Sequence, residues 1–506
     1  MNSYTINPGL RRLASVRNHL PHFMMRIVVA CSAVLVNVAQ AMKLITSYQE
    51  FSVITLLLLL YLFAEAKHLK ERQPQLFLIN PVILGTTLTF VLPFGISNAI
   101  YFLPESVLDL VGVSPVITQW MNQLMMLVLL GAIFMWVGYT SGLGRKMGLM
   151  LKRSRFLRKW MKPSFKVNMT AVYVCVSISL IAKLLLIKLG LYGYSSSYDR
   201  IIEGAAYTQY FTLASSLGQF AMLGLAMQCF SVRRAANFDL LLLCFITCLE
   251  VVFGFISGFK SQVAMPFLIL GLVYYSQHNK FPLWLAPAVM VSVMAAYAVI
   301  EPFRDARNND PGFVGTSLIS IVKTMINAPK IVSSNTGEDN SASIELLART
   351  NMTQIGSFGI EYAAKTSQLP ANSPAFLGNI FLAPVHALIP RFLWSSKPLE
   401  TIGLWYTQEV IGLNMNSSTG MTAFTYLNFA GGPLAVCLGF WFVGVAQRAS
   451  FDGLRSFGGG GLIVLFGILN TLANIDSSFN GFFVNLVRLP LILVVAQYAL
   501  LRGVRR

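Results

Sequence analysis

Charge is scarce in this chain. Only 11% of its 506 residues are Asp, Glu, Lys or Arg, against about 25% in soluble domains. The hydrophobic share is 55%, and apolar runs of roughly 18 residues or more recur along the sequence. Together these exclude a soluble globular protein and define an all-α polytopic membrane protein. Acidic residues are scarcer than basic ones, 20 against 38, which leaves a net charge of +18. That excess does not indicate a nucleic-acid partner. The basic residues sit in short segments between apolar spans, most densely from Arg145 to Lys166, as cytoplasmic loops do. A run of this kind also suits anionic headgroups of the lipid bilayer. Cysteine is sparse too: Cys31, Cys175, Cys229, Cys244, Cys248 and Cys437 all fall inside apolar runs, without CxxC or Cys/His spacing. A disulfide framework or zinc site is therefore not expected. Walker, Rossmann, HExxH and GxSxG motifs are missing in any convincing context, so no cofactor and no metal is expected.

Apolar spans are read at about 27–47, 50–66, 79–102, 119–141, 168–190, 209–231, 238–256, 264–276, 283–301, 427–446, 460–475 and 482–501. Arg11, Arg12, Arg17 and Arg26 precede the first span, another follows directly, and no small-residue cleavage site stands out. A retained signal anchor is expected. With a cytoplasmic N-terminus, alternation puts each strongly basic loop on one face and leaves the C-terminus cytoplasmic. The opposite face then receives one long loop. Three regions follow: 1–301 with nine spans, 302–426 as a large external loop, and 427–506 with three spans. Within the loop, 316–333 and 342–366 have amphipathic helical spacing. Residues 376–394 are apolar but interrupted by Pro384 and Pro390, which is expected to give a re-entrant or interfacial element, and with Pro398 these prolines are expected to forbid a regular helix over 386–398. Turns are expected at Asn308–Gly312 and Ser334–Asn340.

Three segments carry candidate chemistry. In Glu301-Pro302-Phe303-Arg304-Asp305-Ala306-Arg307, two arginines three residues apart share a helical face. Their forked guanidiniums match phosphate oxygens, although such arginines also anchor helix ends. Ser257-Gly258-Phe259-Lys260-Ser261 is a tight external turn whose Lys260 runs against the positive-inside bias. In Ile389-Pro390-Arg391-Phe392-Leu393-Trp394-Ser395-Ser396-Lys397-Pro398, cations flank an indole that suits a sugar face or an interfacial belt. Tyr426-Leu427-Asn428-Phe429-Ala430-Gly431-Gly432-Pro433 opens a span. Lys183, Lys188, Asp239, Glu250 and Arg488 lie within spans, where each costs roughly 2.5–3.5 kcal/mol and so faces the bundle interior. Lys183 and Glu250, at matched depth, are expected to pair. His386, Glu361, Glu400, Glu409 and Asp305 are the candidate bases, and the sequence does not choose among them.

This set of segments resembles the Wzy-type polymerases of O-antigen and exopolysaccharide synthesis, the oligosaccharide repeat-unit polymerases. About twelve transmembrane helices with one large external loop holding amphipathic or re-entrant helices match as well, and the resemblance implies a GT-C-like bundle. An acidic residue that many such sequences carry before the YLNFG element is replaced here by Met421-Thr422-Ala423-Phe424-Thr425. The resemblance implies a metal-independent glycosyltransferase of the bacterial inner membrane. Its donor and acceptor would be undecaprenyl-diphosphate-linked oligosaccharides, with a chain-length regulator as a further partner. Arg304, Arg307 and Arg391 would neutralise the diphosphate, with Glu361 or His386 as base, and Lys260, Lys397, Trp394, Tyr426 and Asn428 would contact substrate. An O-antigen ligase-like transferase and a flippase or transporter of lipid-linked oligosaccharides are the alternatives.

Overall fold

The computed structural model describes residues 8–110, 113–195, 204–231, 236–309, 317–333, 342–366, 369–370, 373–389, 393–394, 397, 402–413, 419–475 and 479–502. Among them every regular element is helical, the form that satisfies backbone polar groups without water. Ten helices or helical runs are long and apolar enough to cross a membrane. The protein is thus an all-α, multi-pass membrane protein.

Of the twelve expected spans, one falls short of these ten and two are the arms of a single helical run. The apolar run at 264–276 lies in a helix Lys260–His278 that is polar at both ends and does not reach the hydropathy of the ten. The runs at 427–446 and 460–475 belong to one helical stretch, Ala423–Gly467. That stretch reverses through a 3₁₀ turn at Arg455–Phe457 and Gly458, which has φ +64°. Beyond the turn, the amide of Gln447 donates to the carbonyl of Leu472 at 2.7 Å, so the two arms lie side by side.

Helix α1 (Ser47–Arg72), α2 (Pro81–Phe102), α3 (Gln119–Thr140) and α4 (Ala423–Leu454) make the central packing unit. Glycines set the α3–α4 distance: a β-carbon at Gly138 would overlap the Trp441 carbonyl, and one at Gly444 the Met135 carbonyl. Small residues are how membrane helices gain contact where lipid is as apolar as leucine. Helix α2 is irregular. It widens to π geometry over Thr86–Ile96, with Pro93 inside, and tightens to 3₁₀ over Ser97–Phe102. Side chains serve the carbonyls this leaves: Ser97 donates to Pro93 O at 2.7 Å and Asn98 to Phe94 O at 2.6 Å.

The same Asn98 anchors the long loop to the bundle. Its carbonyl oxygen accepts from Asn351 at 2.9 Å and from Thr353 at 2.7 Å, while Tyr101 donates to Asn351 at 3.2 Å. Asn98, Asn351 and Thr353 are all buried. The amphipathic stretch at 342–366 is two helices, Ala342–Thr350 and α5 (Thr353–Lys365), broken where Asn351 accepts from the Thr353 N–H. Helix α5 packs against α3 and α4, and Gly356 meets Leu124 there. The stretch at 316–333 forms the expected helix, Leu318–Ser333.

Pro384 does not interrupt the helix Phe376–Leu388, a correction to the sequence expectation, while the helix ends before Pro390. One proline removes one N–H, and the buried Ala383 and Ala387 packed with Val484 offset that loss. The expected turns fall largely at 310–316 and 334–341, outside the described residues.

Candidate functional site

The clearest candidate site is where the second and first motifs meet. In Ser257-Gly258-Phe259, the Ser257 hydroxyl accepts from the Phe259 N–H at 3.2 Å, which closes the turn. Gly258 has φ +69°, and a β-carbon there would press on Tyr194 and Phe303, so glycine is required both by conformation and by space. Lys260 then opens α6 (Lys260–His278). From the first motif, Arg304 donates Nε–H to the Gly258 carbonyl at 3.0 Å. Its guanidinium lies 4.6 Å from the Tyr194 ring and 5.6 Å from that of Phe259. Phe303 beside it is fully buried with Ile321 and Met325 of the loop helix. Two segments more than forty residues apart in sequence thus form one corner.

Phe259, Ser261 and Gln262 of this corner line a chamber of about 650 Å³. Its far wall holds Lys183 and Glu250, which pair at 2.5 Å, as matched depth predicts. Gly218 leaves the room Glu250 needs, since a β-carbon there would strike its carboxylate oxygen. Ser215, Ser216, Gln219, Asn470 and Asn474 add uncharged polar groups beside apolar ones such as Leu186, Leu191 and Phe253. Leu88, Thr212, Ser216, Gln219, Met265, Leu268 and Asn470 also line a second, mostly apolar chamber of about 390 Å³ with Leu223, Leu272 and Phe466. The two share these walls. A polar compartment therefore adjoins an apolar slot, the shape of a site for an amphiphile.

The remaining candidates are distributed. Lys397 is buried and donates to the carbonyls of His386 and Ile389, so its ammonium serves the C-terminus of the helix Phe376–Leu388. His386 is buried with its ring 5.3 Å from Trp394. Glu361 pairs with Lys365 on an outer face of α5. Tyr426 is buried and donates to Phe376 O at 3.1 Å. None of these four lines the double chamber. Asn428 lines a separate cavity of about 540 Å³ with Asn37 and Gln123, beside Gly432 and Pro433 where α4 is broken. Arg391 and the side chains of Arg307, Asp305 and Glu400 lie outside the described residues. The sequence reading missed Gln219, Asn470 and Asn474, because an uncharged polar residue in an apolar run carries little signal.

Among the described residues no cluster of His, Cys, Asp and Glu could hold a metal ion. The fold and its chambers define a multi-pass helical membrane protein with an internal amphiphilic cavity. Residues 162–504 match the family described as Domain of unknown function (DUF8712), and the chain belongs to it. No curated protein matches the chain, and no solved structure does.

Proposed function

We propose that this protein is a membrane glycosyltransferase of the repeat-unit polymerase kind. It would transfer a growing glycan from undecaprenyl diphosphate to a lipid-linked repeat unit at the outer face of the bacterial inner membrane, with both termini in the cytoplasm. The observation that carries the reading is the corner that joins Gly258 and Arg304, whose Phe259 and Ser261 line a partly polar chamber that adjoins an apolar slot. A lipid-linked sugar has this same division, with its glycan in a polar compartment and its chain in an apolar one. Arg304 and Lys260, with Arg307 and Arg391, supply positive charge for a diphosphate leaving group. In a partly desolvated cleft, such donors are worth most where charge develops. The acceptor hydroxyl gives up its proton to a base as the new glycosidic bond forms and the diphosphate departs.

A transporter is the second reading, favoured by the break in α4 at Gly431 and Gly432 and the π segment of α2. Discontinuous helices are common in transporters. The glycan gel profile of a deletion strain complemented with wild type or Arg304→Ala separates the two. Loss of the long ladder with one repeat unit still attached supports the polymerase. Long lipid-linked polymer that is never attached supports a ligase, and repeat units held on the cytoplasmic leaflet support the transporter.

A further inference from the structure

A charged residue stands in the apolar slot itself. Arg488 lies mid-way along α7 (Phe479–Leu500) and lines the slot with Leu223, Leu268, Leu272 and Phe466. Among the described residues its one hydrogen-bond partner is Asn485, one turn earlier on the same helix, which accepts from Nη2 at 2.8 Å. Among the described residues, its buried Nε has no hydrogen-bond acceptor and no carboxylate pairs with it. Lys183 and Glu250 in the adjoining chamber neutralise each other, so Glu250 is already engaged. A guanidinium inside a membrane helix is costly and is kept where it meets an anion or a cavity. Here the cavity is present, and it offers the cation an apolar lining with Asn470, Thr471 and Asn485 as further hydrogen-bonding groups.

We infer that Arg488 is the anion-recognition residue of this slot and that its ligand is a phosphate-headed lipid. The guanidinium receives the phosphate oxygens in forked geometry, and the leucines and Phe466 receive the chain. Neither half of the site suits a different class: a neutral lipid leaves Arg488 unmatched, and a free phosphate leaves the slot unfilled. The inference rests on and deepens the polymerase reading in that it adds Arg488 to the cations that meet the lipid phosphates of its substrates, but lipid binding is measured without catalysis.

The test uses the purified full-length protein in a phosphate-free maltoside detergent, with retained lipid measured by native mass spectrometry. The probes are undecaprenyl phosphate, phosphatidylglycerol and inorganic phosphate. Wild type is expected to retain undecaprenyl phosphate, and Arg488→Gln to retain it about tenfold less, with partial recovery in Arg488→Lys. Leu268→Trp, which fills the slot and keeps the arginine, should lose the lipid similarly and covers the case in which Arg488→Gln does not fold. Equal retention of phosphatidylglycerol leaves the site intact and assigns it to phosphate lipids in general. Unchanged binding in Arg488→Gln or Leu268→Trp overturns the inference, as does inorganic phosphate that competes as well as the lipid. If binding fails while the glycan ladder still depends on Arg304, the inference falls and the polymerase reading stands.

Discussion

Lys183 and Glu250 hold each other's charge inside the bundle, so neither can be removed alone without cost. Breaking such a buried pair from one side costs about 3–5 kcal/mol, whereas replacing both partners by apolar residues is often neutral. Lys183→Met is therefore expected to destabilise the protein strongly, and Lys183→Met with Glu250→Leu to recover most of the loss. Thermal unfolding in detergent reads the difference; equal destabilisation by the single and double variants would contradict the pairing. This pair was legible in the sequence because two opposite charges at matched depth in apolar runs have few other partners. Lys397 was not legible in the same way. Its sequence neighbours are prolines and an indole, which suit an anion, but the carbonyls it serves are set by where the helix Phe376–Leu388 ends. A cation on terminal carbonyls stabilises the last turn. Lys397→Met should speed amide exchange at residues 386–389 roughly tenfold, ~1.5 kcal/mol, and unchanged protection there would show that Lys397 does not hold the turn.

Among the elements, α3 and α4 are held closest, and glycine makes that approach possible at Gly138 and Gly444. Gly444→Leu is expected to abolish the monodisperse peak in fluorescence-detected size exclusion, with Gly444→Ala intermediate. A leucine variant as stable as wild type would mean that the two helices are free to separate. Helix positions along the chain were readable from apolar runs, since length and hydropathy alone decide them. The reversal at Arg455–Gly458 falls in the gap read between the spans 427–446 and 460–475. The helix through Pro384 escaped because packing of Ala383 and Ala387 on Val484 outweighs one missing hydrogen bond.

At the scale of the whole molecule, the long loop is tied to the bundle at two independent places. One is the buried set of Asn98, Asn351 and Thr353, and the other is Phe303 among Ile321 and Met325. Those ties fix the corner of Gly258 and Arg304 against the double chamber. The motifs themselves were visible in sequence. The chamber was not, since its walls come from residues as far apart as Leu88, Gln219 and Asn470. The central claim is that this chamber elongates a lipid-linked glycan. The most direct measurement reconstitutes the purified protein in liposomes with undecaprenyl-diphosphate-linked repeat units and follows product length by gel. The account predicts polymers of increasing length without added nucleotide or metal, and none with Arg304→Ala. Repeat units that stay single in the presence of folded wild-type protein, yet cross the bilayer, would contradict it.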